Sequence, residues 1–214
     1  MEGKAVSSYS PQGFSLNDFI KRLFDILMSL IGVIILSPVF LVISLMIKFD
    51  SKGPVFFKQV RVGKGERNFK ILKFRTMVTD AEKRGAQITV GRDSRITRVG
   101  HFLRKSKLDE IPQLLNVLKG DMSLVGPRPE VPKYTKYYDS NQKRIFEIRP
   151  GITDFASIKY RDENEILAQS KNPEETYIEE IMVDKLNLNL QYLSERSLIT
   201  DIKIIFMTLL KIVK

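Results

Sequence analysis

Apolar positions crowd one stretch of the chain and alternate with polar ones almost everywhere else. Residues 26–47 run without a single charge, long enough to cross the roughly 30 Å hydrocarbon core of a bilayer as a helix. Ser37-Pro38 sits near the middle, and a proline there removes a backbone donor and crowds the preceding turn. The pattern predicts two helical pieces, 26–36 and 39–47, each reaching about halfway through the core at about 1.5 Å per residue. Lys21 and Arg22 precede the stretch, and Lys48, Lys52, Lys58, Arg61, Lys64 and Arg67 follow it. Basic residues beside a membrane segment favour the cytoplasmic side. A re-entrant helix broken at Ser37 and Pro38 keeps both clusters there. A kinked single span and a buried soluble helix are the alternatives, the latter disfavoured because the stretch has no polar face.

Residues 1–17 carry Ser, Gly and Pro without a hydrophobic period and read as a mobile arm. An amphipathic lead-in, with Phe19, Leu23 and Ile26 at helical intervals, feeds the membrane segment through residue 50. Beyond Gly53-Pro54, residues 55–62 and 68–76 alternate, separated by five residues containing Gly63 and Gly65, which predicts a β-hairpin. Short helices follow over 79–86 and 101–105, with a glycine-bounded polar loop over 91–100 between them. Another helix is expected over 108–118, with Pro112 in its first turn and Gly120 as its C-terminal stop. Gly126-Pro127-Arg128-Pro129 cannot be regular helix and reads as a stiff loop. Residues 131–149 are expected to be helical, and 158–167 mixed. An acidic helix starts at Pro173 and continues through 192. Residues 198–213 form an amphipathic helix that lies on the membrane surface or packs into the core. The fold class is therefore α+β and mostly helical, with interfacial helices and residues 51–214 as a cytosolic catalytic part.

Charge narrows the partners. The 214 residues carry a net charge of +10, a balance that suits membrane lipids or phosphorylated substrates. No helix-turn-helix or zinc-finger pattern supports nucleic-acid binding. Cysteine is absent, which excludes disulfides and thiolate metal sites. No cleavable signal peptide is visible, because the apolar run starts late and lacks a small-residue cleavage pattern.

Asp109-Glu110 is the pair that could carry chemistry. Adjacent carboxylates at a helix start are most often solvated or capping. Here Arg95, Arg98 and Arg104 precede them and Arg128 follows on the stiff loop, while Lys73 and Arg75 lie on the second hairpin strand. Carboxylates among cations describe a site for a metal and a phosphoanhydride. One carboxylate can attack phosphorus covalently, and its neighbour can help hold Mg2+. The single histidine, His101, leaves no multi-histidine metal site, and no P-loop occurs.

Several motifs in fixed order carry a resemblance: Lys21-Arg22 with Asp25, the Ser37-Pro38 break, KFRTM from Lys73, LRKSKLDEIPQL from Leu103, SLVGPRPE from Ser123 and RPGIT from Arg149. From Lys21 to the C-terminus the chain resembles the bacterial sugar transferases, the small monotopic phosphoglycosyl transferases of polyprenyl-phosphate lipids. The resemblance implies transfer of a sugar-1-phosphate from a UDP-sugar to a polyprenyl phosphate such as undecaprenyl phosphate, with UMP released. By motif position Asp109 is the nucleophile, Glu110 helps bind Mg2+, Arg104 contacts phosphate, and Pro127, Arg128 and Pro129 form the nucleotide-side loop. Asp184 and Arg161 fall near further family positions, and Arg22 and Asp25 are expected to pair. The resemblance places the catalytic part on the cytoplasmic face of the bacterial inner membrane, in surface-glycan assembly, as a minimal form without additional N-terminal membrane helices. Monomer and dimer both remain open.

The chain departs from the family pattern after RPGIT, where Asp154 and Ser157 stand in place of the familiar glycine and glutamine, and at Lys107, where serine is common. The first departure leaves the sugar undefined. Two competing readings remain: a basic membrane-anchored scaffold, and a metal-dependent phosphohydrolase that uses the same carboxylates.

Overall fold

The computed structural model describes residues 16–81 and 93–213. The expected mobile arm, apart from its last two residues, most of the short helix over 79–86, and the start of the polar loop after it lie outside the described residues.

Helix α1, Leu16–Asp50, is continuous over 35 residues. The expected interruption at Ser37 and Pro38 is not there. Proline at 38 withdraws the donor that Ile34 O, four residues back, would have accepted. The Ser37 hydroxyl donates to that same oxygen at 2.8 Å. The carbonyl stays satisfied, as an apolar setting requires, and the helix carries its proline without breaking. Among the described residues α1 is the one helix long and apolar enough to cross a membrane by length and composition. Ile34, Ile35, Leu41 and Val42 are all more than half exposed.

The hairpin forms as the alternation predicts. β1 (Phe56–Val62) pairs antiparallel with β2 (Asn68–Phe74), from Phe56 opposite Phe74 to Val62 opposite Asn68. Then come α2 (Arg98–Lys105), a tight turn at Leu108–Glu110, and α3 (Gln113–Lys119). The helix expected over 108–118 is thus split at Pro112, and Gly120 ends it in the left-handed region, φ 99°. Two three-residue strands that alternation could not reveal, β3 (Ser123–Val125) and β4 (Gly151–Thr153), pair in parallel.

The helix expected over 131–149 reduces to α4 (Pro132–Thr135) and a turn at Gln142–Glu147. Asp139 accepts from Gln142 N at 2.8 Å, and Gln142 Oε1 accepts from Asp139 N at 3.0 Å. This local exchange competes with helix and turns Ile145 and Phe146 into the core beside Tyr134 and Tyr138. Short helices α5 (Phe155–Lys159), α6 (Glu163–Ala168) and α7 (Pro173–Thr176) lead to α8 (Met182–Glu195) and α9 (Leu198–Val213). α9 buries Asp201 and Ile204 and leaves Ile199, Phe206 and Leu209 exposed.

Both ends of α1 are fastened to this domain. Near its start, the buried Asp25 accepts from Ser123 Oγ at 2.8 Å and Leu124 N at 3.2 Å. Lys21 Nζ donates to Val125 O and lies 2.5 Å from the buried Asp201, which also accepts from Tyr192 Oη. Arg22 does not pair with Asp25 as expected. It donates instead to Val117 O and Leu118 O, carbonyls in the last turn of α3. At the other end, Ile43 and Ile47 are buried with Phe74 and Leu103. Arg75 donates to Ser51 O and Lys52 O, and Asp50 accepts from Val99 N.

Removing the Asp25 carboxylate orphans the Leu124 N–H, a loss of about 1–3 kcal/mol, and leaves the Ser123 hydroxyl with Val125 O as its acceptor. Asp25→Ala should lower the melting temperature in detergent by several degrees, and Asp25→Asn, which keeps one acceptor, by less. Equal melting of Asp25→Ala and wild type would contradict the anchor.

Candidate active site

Three elements converge on the carboxylate pair. Lys107 adopts the left-handed conformation, φ 56° and ψ 14°, an uncommon state for a residue with a side chain. It ends α2 and reverses the chain so that Leu108 and Ile111 pack on the Phe74–Leu103 cluster. That packing fixes the intervening Asp109 and Glu110. β2 delivers Lys73, and the stiff loop delivers Arg128. The loop is held from below by β4: Gly126 N donates to Thr153 O at 3.1 Å and Gly151 N to Pro127 O at 3.0 Å. Gly126 and Gly151 approach so closely that a Cβ on Gly151 would fall 2.1 Å from Gly126 N. Asp154, buried, accepts from Arg128 N at 3.1 Å and from Ser157 N at 2.6 Å. The residue that departs from the family glycine thus ties the Arg128 loop to α5.

The two carboxylates live differently. Glu110 Oε1 accepts from Lys73 Nζ at 2.7 Å, and Arg128 grips both oxygens through its two terminal nitrogens, one of them 3.1 Å from Oε2. Burial works to raise the Glu110 carboxyl, but Arg128 and Lys73 outweigh it and hold the group well below the usual carboxylate range. Asp109 is 7% exposed, and among the described residues no side chain or backbone group hydrogen-bonds its carboxylate. Burial first, then the charge of Glu110, pushes the Asp109 carboxyl up, while Lys73 and Arg104 pull it down. Lys73 is in turn lowered, by burial above all and by Arg128 and Arg61, against the pull of Glu110 and Asp109. The outcome is one carboxylate held by two cations beside one that, among the described residues, accepts no hydrogen bond.

The other sequence candidates divide. Arg104 donates Nε to Thr76 Oγ1 at 2.9 Å and acts on Asp109 through its charge. Arg95 is committed to Asp93, at 2.6–3.0 Å, and feels Arg104 beyond it. Pro127 and Pro129 flank Arg128, and Arg61 donates to Pro129 O and to Glu130. Arg161 comes near only through its carbonyl, 3.4 Å from Lys107 Nζ. Arg98 is exposed on α2 and, among the described residues, forms no ion pair with either carboxylate. Arg75 turns away: β2 ends at Phe74, and Arg75 clamps the end of α1 instead. Asp184 sits apart on α8, 2.7 Å from both Lys159 and Tyr160 Oη. Sequence reasoning missed Thr76, Arg61 and the structural use of Asp154, whose only signal was its place in the motif after RPGIT.

A carboxylate offers about four lone-pair positions. Lys73 and Arg128 take three on Glu110, leaving one on Oε2 beside the open carboxylate of Asp109. No cluster of three or more His, Cys, Asp or Glu occurs among the described residues. Mg2+ commonly uses one or two carboxylates and fills its remaining positions with substrate phosphates and water. The pair therefore fits a divalent cation that arrives with a diphosphate.

The site thus joins a carboxylate–cation cluster to a domain that fastens one long apolar helix. The comparisons give the family: the bacterial sugar transferase profile matches residues 16–214, and the chain belongs to that family. It is 40% identical over 196 residues to the UDP-N-acetylgalactosamine-undecaprenyl-phosphate N-acetylgalactosaminephosphotransferase of Aeromonas hydrophila, covering 89% of this chain and 43% of that protein. It is 37% identical over 205 residues to the UDP-glucose:undecaprenyl-phosphate glucose-1-phosphate transferase of Escherichia coli K12, covering 92% and 40%. It is 36% identical over 193 residues to the uncharacterized sugar transferase EpsL of Bacillus subtilis, covering 90% and 87%. The chain thus spans about two-fifths of the first two relatives' length.

The opposite shifts give opposite stability effects. The Asp109 carboxyl is raised, so its neutral form stabilises the fold and that contribution is lost as pH rises through the raised value. Asp109→Asn should therefore melt above wild type at pH 7.5. The Glu110 carboxyl is depressed, so its contribution is present above the ordinary carboxylate range and lost as pH falls through the depressed value. Glu110→Gln should melt below wild type at pH 7.5. Melting curves for both variants between pH 4 and 8 check this; destabilisation by Asp109→Asn at pH 7.5 would contradict it.

Proposed function

We propose that the protein transfers a sugar-1-phosphate from a UDP-sugar to a polyprenyl phosphate such as undecaprenyl phosphate, releasing UMP, through a covalent aspartyl intermediate. The observation that carries the reading is the unequal pair: among the described residues nothing hydrogen-bonds the Asp109 carboxylate, while Glu110 fixes Lys73 and Arg128. The names of the relatives supply the class of reaction.

In the proposed reaction an Asp109 oxygen attacks the phosphorus that bears the sugar. The P–O bond to the UMP oxygen breaks, and UMP leaves with that electron pair. An oxygen of the polyprenyl phosphate then attacks the same phosphorus. The acyl-phosphate bond breaks, Asp109 recovers its carboxylate, and a lipid-linked diphosphosugar remains. Lys73, Arg104 and Arg128 supply positive charge where the transferred phosphoryl oxygens and the leaving phosphate gain negative charge. Mg2+, held by Glu110 and Asp109 when bound with the donor, would supply further charge neutralisation on the diphosphate. Glu110 is the fixed point that orients Arg128 and Lys73. The raised Asp109 carboxyl is an ionisation that activity must follow, so the rate should fall on the acid side.

The lipid acceptor explains the long helix. We read α1 as a re-entrant segment bent into one leaflet. A domain on one side of a bilayer can hold both Asp25 and Asp50 only if both ends of α1 return to that side. The residues around Ser37 and Pro38, Ile34, Ile35, Leu41 and Val42, are then the deepest, and the exposed face of α9 lies along the surface. The domain occupies the cytoplasmic face of the bacterial inner membrane, where the basic flanks of α1 favour it. In this reading residues 51–214 form the catalytic part.

Two experiments test these proposals. Purified protein in nanodiscs with Mg2+, undecaprenyl phosphate and a panel of UDP-sugars should release UMP for at least one donor. Asp109→Asn should lose at least about a thousandfold of that rate, the scale expected when a covalent nucleophile is removed. Asp109→Asn activity within about threefold of wild type would sink the nucleophile assignment. Topology reporters placed before Met1 and after Lys214 should both read cytoplasmic; opposite sides would rule out the re-entrant helix.

A further inference from the structure

A second open cleft, about 50 Å3, lies at the end of α3 away from Asp109, among the first turns of α1, the hairpin loop and the segment around Arg149. Its charges are not balanced. Arg196 is paired with Asp18 at 2.5 Å, and Lys21 with Asp201. The three other cations that line it, Arg22, Lys64 and Arg149, form no ion pair with a carboxylate among the described residues. Arg22 and Arg149 converge on one glycine. Arg149 Nε donates to Gly120 O at 2.9 Å, and a Cβ built on Gly120 would meet the Arg22 guanidinium at 3.6 Å. Both terminal nitrogens of Arg149 lack a partner among the described residues. Neighbouring guanidiniums repel, and an anion between them relieves the repulsion while accepting from their planar N–H groups.

The surroundings indicate where that anion comes from. The cleft opens beside the first turns of α1, whose Leu16, Phe19 and Leu23 are about half exposed or more. A headgroup in the cleft would leave its chains against an apolar helix face. None of Lys73, Asp109, Glu110 and Arg128 lines the cleft, so the site is separate from the transfer chemistry and does not depend on it.

We propose that this cleft binds a phosphate group, with Arg22, Arg149 and Lys64 as its donors, and that membrane phospholipid headgroups are its natural source, free inorganic phosphate being the other. Arg22 and Arg149 would then hold the start of α1 at headgroup depth while capping α3.

The test uses the full chain in detergent and native mass spectrometry. Phosphatidylglycerol should bind saturably and diacylglycerol, which lacks the phosphate, should not. Arg149→Gln and Lys64→Gln, each checked for an unchanged circular dichroism spectrum, should each weaken phosphatidylglycerol binding by about fivefold or more, and Arg149→Lys by less than Arg149→Gln. Displacement of the lipid by millimolar inorganic phosphate would support the site and assign recognition to the phosphate alone. Persistence of the lipid would support it and assign a share to the acyl chains. Lys64 is exposed in the hairpin turn, so its variant keeps the test open should Arg149→Gln fail to fold. Binding of both folded glutamine variants within about twofold of wild type, or saturation by neither phosphatidylglycerol nor inorganic phosphate, would overturn the proposal.

Discussion

The site depends on the grip of Lys73 and Arg128 on Glu110. A buried carboxylate is costly unless cations and hydrogen bonds surround it. Here one carboxylate recruits two cations from separate elements, a hairpin strand and a proline-bounded loop. Glu110 favours the charged forms of Arg128 and Lys73, and they in turn hold its carboxyl well below the usual range. Asp109, the adjacent residue, feels the same cations without bonding to them. Burial therefore raises its carboxyl rather than lowering it. Much of the fold serves this arrangement. The left-handed Lys107 turns the pair inward, and the close Gly126–Gly151 contact holds the Arg128 loop on β4.

The membrane helix obeys a similar economy of satisfied groups. Proline in an apolar helix leaves a carbonyl without its donor, and no water is at hand to replace it. Ser37 does so from the adjacent position. The serine–proline pair thus lets α1 run unbroken from the anchor at Lys21 and Asp25 to the clamp by Arg75. In the re-entrant reading those two fastenings hold the lipid acceptor and the catalytic pair in one frame.

Much of this was legible in the chain. The hairpin was readable from alternation, α9 from its helical period, and the stop of α3 from Gly120. Asp109 and Glu110 stood out because arginines surround them in sequence and because the motif carries a family resemblance. Other features were hidden for physical reasons. Lys73 and Arg75 are equivalent by charge and spacing, and only the end of β2 at Phe74 sends one to Glu110 and the other to α1. β3 and β4 are too short for any period to show. The lost helix over 131–149 turned on a side-chain exchange between Asp139 and Gln142 that overrides helical propensity. Arg22 sits three residues before Asp25, a spacing that suggests a pair, yet carbonyls in the last turn of α3 claim it instead.

The central claim is that the sugar phosphate passes through Asp109. Incubating the protein with its UDP-sugar and Mg2+ in the absence of lipid acceptor, then measuring intact mass and mapping peptides, tests it most directly. The account predicts about one equivalent of UMP released in a burst and a phosphosugar adduct on the peptide that contains Asp109, with neither seen for Asp109→Asn. UMP formed only when the lipid acceptor is present, with no adduct on the protein at any time, would contradict it and point to direct transfer between the two substrates.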